Sequence, residues 1–239
     1  MKYKEIHFET IDSTNTYAKN HYLSLDNFTF ISTDYQEKGK GRNERTWKSN
    51  RGDNLLFSLL IKDKTLVSMG GYLSLVSSVS VSQALERYGF KDVTIKWPND
   101  INIGDKKVCG ILLEGQISEY LVIGIGINVN QKGFDGEYNV APTSLFLEGQ
   151  KKIDLSQFKR DMFDILISNL KNIGSLKDSF IAYFDNHNYL KNKAINFVYG
   201  DKEMTGSVIG TSNDFSLLVD TKNEVVKVTS GEIHIKSVN

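Results

Sequence analysis

Near residue 190 the texture of the chain changes, and that change limits the possible fold more than any other feature. The stretches KAINFVYG, MTGSVIGTS, FSLLVDT and EVVKVTSGEIHIK are short β-branched or aromatic runs broken by Gly, Asn and Asp. None is long enough for a helix. Four or five short strands in about fifty residues suggest a small barrel. Before residue 190, long helical periods mix with apolar strand-like runs and hairpins. The regular strand–helix alternation of a doubly wound fold is missing. The expected organisation is an α+β part at 1–190 and a small all-β part at 191–239.

In the larger part, strands are expected at 3–9, 28–35, 54–61, 93–100, 101–104, 107–114 and 119–127, from alternation or β-rich apolar runs. NLLFSLLI at 54–61 reads as a central strand, and 105–107 as a hairpin tip. A first helix begins near Asp12, Ser13 or Thr14, with Tyr17, Ala18 and Tyr22 or Leu23 as its apolar face. One long helix is expected over 68–87, and others over 143–147, 155–171 and 175–185. Asp154 and Ser175 are candidate caps.

Lys and Arg number 29, and so do Asp and Glu, so the formal net charge is zero. That disfavours a dedicated nucleic-acid binder. Cys109 is alone, which leaves no disulfide framework or thiolate metal site. The four histidines form no zinc pattern, and no metal-ligand set is legible. The N-terminus has no signal-peptide core, and the run at 121–129 is too short to span a bilayer. A cytoplasmic location is the expectation.

Against this neutral background stands EKGKGRNERTW, residues 37–47. Lys38, Lys40, Arg42, Arg45, Lys48 and Arg51 crowd into a segment whose one acidic residue is Glu44. Gly39 and Gly41 permit close backbone approach, and the cations suit a phosphate or carboxylate. The loop lacks the spacing of a P-loop, and GIGINVN at 124–130 lacks the third glycine of a dinucleotide fingerprint. Three other segments carry polar groups at strand ends. KWPND places Lys96, Asn99 and Asp100 around Pro98; KKVCGILLEG places Lys106 and Lys107 before an apolar strand; Asn128 closes another. Plainer readings exist for each. A basic loop can be merely solvated, Trp47 and Trp97 can be core residues, and Lys106 or Lys107 can guard a sheet edge. Asn128 can be a turn residue, and Cys109 a small core residue. Together, the cations and tryptophans suit a planar, phosphate-bearing ligand.

At these residues the chain resembles the biotin protein ligase family. Ser13-Thr14-Asn15, Gln36, Gly39-Lys40-Gly41-Arg42, Trp47, Lys96-Trp97-Pro98-Asn99-Asp100, the strand from Lys106 through Gly110, and Gly124-x-Gly126-Ile127-Asn128 follow the family's blocks in order. Gly206, Gly210 and Gly231-Glu232 resemble its tail more loosely. Lys40 departs from the family's arginine, which loses a planar bidentate fork, and Asn43-Glu44 stands where glycine is commoner.

The resemblance implies a mixed-sheet catalytic domain of the biotin/lipoate ligase type, related to class II aminoacyl-tRNA synthetases, with a C-terminal SH3-like β-barrel. It implies ATP, Mg²⁺ and biotin as reactants. Biotin's carboxylate would attack the α-phosphate of ATP, and a lysine of a biotin carboxyl carrier domain would then attack the acyl carbon of biotinyl-5'-AMP. Lys107 and Arg42 would stabilise the reacting charge. Ser13, Thr14, Asn15 and Gln36 would line the biotin pocket. Gly39, Lys40, Gly41, Arg45, Trp47, Lys96, Asn99, Asp100, Gly110, Gly126 and Asn128 would complete the ligand site. Because the motifs start almost at Met1, a DNA-binding domain and a DNA partner are not expected. Membrane association is not expected, and a homodimer is left open. Two other readings stay in view: a lipoate or octanoate ligase or transferase, and a non-enzymatic binding module. No Ser–His–Asp array is legible.

Overall fold

The run at 54–61 and the run at 121–129 lie side by side at the centre of a seven-stranded sheet. A computed structural model of the chain describes residues 3–43, 45–116, 118–199, 202–229 and 233–238. The sheet contains β1 (Lys4–Phe8), β2 (Thr29–Thr33), β3 (Asn54–Ile61), β4 (Val93–Lys96), β5 (Asp100–Ile103), β6 (Lys106–Gln116) and β7 (Tyr120–Asn128). Its order is β1-β2-β3-β7-β6-β5-β4. β1 and β2 are parallel and the remaining pairs antiparallel, so the sheet is mixed.

All eight residues of β3 are buried because both faces of the strand are covered. Alternation sends Phe57 and Leu59 into the large core, and Ser58 and Leu60 under α1 (Thr14–His21). Ser13 caps α1 by accepting from the Thr16 N–H. The buried face of α1 includes Thr14 and Asn15 beside Ala18, whereas Leu23 is 80% exposed and plays no part in the apolar face. Burial of two polar residues at a helix start needs polar partners inside the protein. Those partners form part of the site.

The single helix expected over 68–87 is two helices, α2 (Lys64–Ser68) and α3 (Gly71–Arg87). Gly70 takes φ +41°, a left-handed value that glycine adopts without strain and that separates them. Asp63 caps α2 through the Leu66 N–H. Serines persist inside α3 because Ser77, Ser78 and Ser80 donate back to carbonyls four residues earlier. The hairpin expected at 105–107 turns one residue earlier, around Gly104 and Asp105, so that Lys106 already starts β6.

α4 (Leu145–Gly149) starts after a Ser144 cap, and α5 (Leu155–Lys171) after Asp154 as expected. α6 (Lys177–His187) does not use Ser175. The capping position is Leu176, while the Ser175 hydroxyl donates to the Asn172 carbonyl.

The tail strands are β8 (Ala194–Tyr199), β9 (Lys202–Thr211), β10 (Leu217–Asp220), β11 (Val225–Val228) and β12 (Ile233–Val238). They form a separate antiparallel sheet ordered β11-β10-β9-β8-β12. Gly206 meets a structural need, since a Cβ there would lie 2.6 Å from Val219 Cγ1 and 2.7 Å from the Asp220 carbonyl oxygen. Gly231-Glu232 lies outside the described residues. The two sheets share apolar packing, which includes Phe184 edge-on to Phe215. Trp97, left open by its sequence, is 3% exposed and donates its indole N–H to the Phe215 carbonyl at 3.1 Å. It is therefore a core residue joining the sheets.

A fragment ending at residue 190 would uncover Trp97 and Phe184. It is expected to lose cooperative thermal unfolding, read by circular dichroism. A melting temperature equal to that of the full chain would show that the small sheet adds nothing to the stability of the large one.

Candidate active site

The floor of the site is made of glycines. Gly110 of β6 lies opposite Gly126 of β7, and Leu112 opposite Gly124. A Cβ on Gly126 would stand 2.7 Å from Trp47 Cε2, and one on Gly110 2.9 Å from Trp47 Cζ3. The indole of Trp47 thus rests on bare backbone, where any side chain would lift it away. Its N–H is buried without a protein partner.

Trp47 gets there through the basic loop, which is folded as a small hairpin. The Gly41 N–H donates to the Arg45 carbonyl at 2.7 Å, and the Trp47 N–H to the Gly39 carbonyl at 2.9 Å. Lys40 bridges to Thr46. The close approach expected of Gly39 is internal to the loop, because its Cβ would lie 2.4 Å from the Trp47 carbonyl oxygen. The loop closes one side of a cleft of about 740 Å³.

One end of the cleft is cationic. Lys107 Nζ lies 2.7 Å from Asp100 Oδ1 and 5.7 Å from the Trp47 ring. Arg42 donates to Asn99 Oδ1 at 3.2 Å, and Asn99 is itself held by donation to the Ile111 carbonyl at 2.7 Å. Burial pushes the Arg42 guanidinium below its ordinary pKa, with Asp100 opposing and Arg45 reinforcing the shift. Burial also lowers Lys96; Asp100 opposes this, while Lys107 and Lys193 add to it. Lys40, Arg42, Arg45, Lys96 and Lys107 thus line the cleft with two carboxylates, Asp100 and Glu137, among its described residues, and Asp100 is the one set against Arg42, Lys96 and Lys107. An incoming anion would relieve their mutual repulsion. Asn128 donates to the Thr143 carbonyl at 3.0 Å, and its Oδ1 is buried without a partner.

The other end is neutral and polar. Gln36 Oε1 accepts from the Thr14 N–H at 2.8 Å, and the Thr14 hydroxyl lies 3.1 Å from the same oxygen. Ser58 Oγ stands 2.6 Å from Thr14 Oγ1 and 2.5 Å from Asn15 Oδ1. Asn15 Nδ2 donates to Glu114 Oε2 at 2.8 Å, and Lys19 pairs with the other carboxylate oxygen. Ser13, Thr14, Asn15 and Gln36 all line the cleft.

The structure therefore gathers every candidate site residue around one cavity, apart from Gly39, which supports the loop beneath it. Lys106 points elsewhere and pairs with Glu148 at 2.6 Å. Cys109 is fully buried, and burial pushes its thiol pKa upward, so it is no nucleophile. Sequence reasoning missed Ser58 and Glu114, which lie behind the lining and bond to Thr14 and Asn15, and the segment from Phe134 to Pro142 that forms another wall. A lone hydroxyl inside an eight-residue apolar run was the available signal for Ser58. The wall segment has no periodicity to read. It is fixed by Lys107, whose N–H donates to the Ala141 carbonyl while its carbonyl accepts from the Thr143 N–H.

A Ser–His–Asp array that was not legible in the sequence does exist. His7 Nδ1 is 2.8 Å from Ser32 Oγ, and His7 Nε2 is 3.4 Å from Asp34 Oδ1. Ser32 is 2% exposed, donates to Glu5 at 2.7 Å, and does not line the cleft, so the array braces β1 against β2. Among the described residues no group of three or more His, Cys, Asp or Glu is placed to hold a metal, and no helix is long and apolar enough to cross a membrane.

The family model described as Biotin/lipoate A/B protein ligase family matches residues 7–130. The chain is 30% identical over 247 residues to the bifunctional ligase/repressor BirA of Bacillus subtilis strain 168, covering 96% of this chain and 73% of that protein. It is 31% identical over 124 residues to the biotin--[acetyl-CoA-carboxylase] ligase of Paracoccus denitrificans, covering 49% of this chain and 51% of that one. Its fold matches the biotin protein ligase from Aquifex aeolicus in complex with biotin and ATP. The TM-score is 0.87 at 29% identity, over 98% of each chain.

Gly126→Ala is expected to displace the Trp47 indole from the floor. Acrylamide quenching of tryptophan fluorescence should rise, with buried Trp97 contributing a constant background. Unchanged quenching would show that the indole adjusts without leaving the floor.

Proposed function

The chain belongs to the biotin/lipoate A/B protein ligase family, and on that footing we propose that it is an ATP-dependent biotin protein ligase. It activates biotin to biotinyl-5'-AMP and transfers the biotinyl group to a lysine of a biotin carboxyl carrier domain. The observation that carries this reading is the polarity of the single cleft, with clustered cations at one end and neutral hydrogen-bonding groups at the other. A cyclic urea fits the neutral end, and the reacting carboxylate and phosphate fit the cationic end. A lipoyl or octanoyl chain would leave the remaining hydrogen-bonding capacity of Thr14 and its neighbours facing an apolar ligand, which favours biotin.

In this reading the ureido ring sits against Ser13, Thr14, Asn15 and Gln36, and the valeryl chain runs along the cleft toward the Trp47 indole. The biotin carboxylate attacks the α-phosphorus, and pyrophosphate leaves. Lys107 and Arg42 stabilise the charge on the α-phosphoryl oxygens as it develops. Trp47 covers the adenine side, while Lys40, Arg45, Lys96, Asn99, Asp100 and Asn128 belong to the nucleotide end. In the second step the carrier lysine attacks the acyl carbon and AMP leaves. Mg²⁺ bound with the nucleotide would neutralise phosphate charge. With few carboxylates in the cleft it would be held mainly by phosphate oxygens and water, and the unpartnered Asn128 Oδ1 with the Asp100 and Glu137 carboxylates are protein oxygens that line the cleft. We assign the larger part, 1–190, to catalysis and the tail, 191–239, to an SH3-like barrel that supports the site or the carrier. The catalytic sheet is read as kin to class II aminoacyl-tRNA synthetases, and the location as cytoplasmic.

Incubation with ATP, Mg²⁺ and biotin is expected to yield biotinyl-AMP, detected directly by mass spectrometry. Its absence at saturating substrates, or a preference for lipoate, would overturn the reading. Lys107→Ala should slow single-turnover adenylation by about a hundredfold, the scale of losing one charge-stabilising group. Its melting temperature should stay near that of the parent, and a parent adenylation rate would remove Lys107 from the chemistry. Arg42→Gly should speed release of preformed biotinyl-AMP more than it weakens biotin binding. It deletes a phosphate partner from the loop that closes the cleft. Equal release rates in parent and variant would leave the loop as a static wall.

A further inference from the structure

Resting on the biotin-ligase reading, we propose that Glu114 is a positioning residue. Acting through Asn15 and Ser58, it makes the Thr14 hydroxyl oxygen a hydrogen-bond acceptor for a ring N–H of the substrate.

The argument follows protons along a chain of contacts. Hydrogen bonds from Lys19 and Asn15 outweigh the opposing effect of burial and hold the Glu114 pKa below the usual carboxylate value. An ionised carboxylate only accepts. One oxygen takes the Lys19 ammonium, and the other, 2.8 Å from Asn15 Nδ2, obliges Asn15 to present its NH₂ group outward. The amide oxygen of Asn15 must then face inward, where Ser58 Oγ lies 2.5 Å away. That oxygen also only accepts, so it takes the single proton of Ser58. The 2.6 Å contact between Ser58 and Thr14 can then be closed only by the Thr14 proton. Gln36 Oε1, 3.1 Å from the Thr14 hydroxyl, keeps the Thr14 N–H at 2.8 Å, and the hydroxyl's single proton, given to Ser58, cannot serve it as well. The Thr14 oxygen is left with lone pairs to offer the cleft. A partly buried carboxylate outside the pocket lining thereby fixes the polarity of a hydroxyl inside it.

Glu114→Gln should reverse this chain rather than merely weaken it. The Lys19 ammonium, a donor only, would claim the new carbonyl oxygen and turn the new NH₂ toward Asn15. Two NH₂ groups cannot face each other. Asn15 would turn over and Ser58 would donate to Thr14, taking one of its lone pairs. The Thr14 proton would be released toward Gln36 Oε1 or the cleft, so the ring N–H would meet a hydroxyl with one lone pair already used and a proton free to compete. Removing Lys19 as well would free the new amide to rotate back.

The experiment compares the KM for biotin and for ATP in pyrophosphate exchange by the full chain and its variants. E114Q should raise the biotin KM by about tenfold, the scale of one misdirected buried hydrogen bond, and leave the ATP KM unchanged. Lys19→Met alone should behave as the parent, and the Lys19→Met/E114Q pair should recover most of the parental biotin KM. A parental biotin KM in E114Q would overturn the proposal. So would a Lys19→Met defect equal to that of E114Q with no recovery in the pair, because that pattern reports a lost ion pair rather than a reversed chain. Should E114Q fail to fold, Ser58→Ala breaks the chain without touching the ion pair, and a parental biotin KM there is equally fatal. A parent that forms no biotinyl-AMP would instead remove the functional reading on which the proposal rests.

Discussion

The contact of the Trp47 indole with bare backbone at Gly110 and Gly126 is the constraint on which the site depends. It requires two neighbouring strands to give up side chains at facing positions, although β6 and β7 are otherwise rich in Val, Ile and Leu. Glycine in a strand interior weakens the sheet and provides no side chain to pack. Here the lost packing is replaced by an aromatic ring delivered from a distant loop. The loop can deliver it because Gly39 lets its backbone lie against the Trp47 carbonyl. Floor and ring are therefore one structural decision, and together they line the cleft.

The two ends of that cleft solve opposite electrostatic problems. At the cationic end, Arg42 and Lys96 are destabilised by burial, with Asp100 opposing the shift of both. An arrangement of this kind is poorly compensated until an anion arrives, which suits a site that must bind charge as it develops in a reaction. At the neutral end the groups satisfy one another closely, and the freedom left to them is the direction of their protons. The Glu114 carboxylate, outside the cleft lining, removes that freedom. Charge at one end and fixed dipoles at the other make the cavity directional.

The small sheet contributes through the back of the site. Trp97 follows Lys96 in the same segment that carries Asn99 and Asp100, and its N–H is tied to Phe215 in the tail. Movement of the tail would be felt at those cleft residues through two or three peptide units. Trp47 and Trp97 thus do different work: one lies on the cleft floor and the other anchors the strand end behind it.

The sequence by itself determined most of the strand and helix inventory, the change of texture near residue 190 and many of the cleft residues. These depend on local periodicity, capping residues and ordered motifs, which a chain carries without reference to its partners. β3 and α5 match their expected limits because an apolar run and an Asp cap are local facts. Gly70 dividing the 68–87 helix was less legible, since a glycine pair inside a helical period does not announce which residue will take a positive φ. Only the tertiary structure decided that Trp47 faces the cleft while Trp97 is core. It also decided that Lys107 rather than Lys106 points inward, and that Ser58 and Glu114 join the site at all. Each of these depends on which face of a strand meets which neighbour. That is settled when β3, β6 and β7 align and α1 packs across them, bringing together Asn15 and Glu114 from positions 99 residues apart.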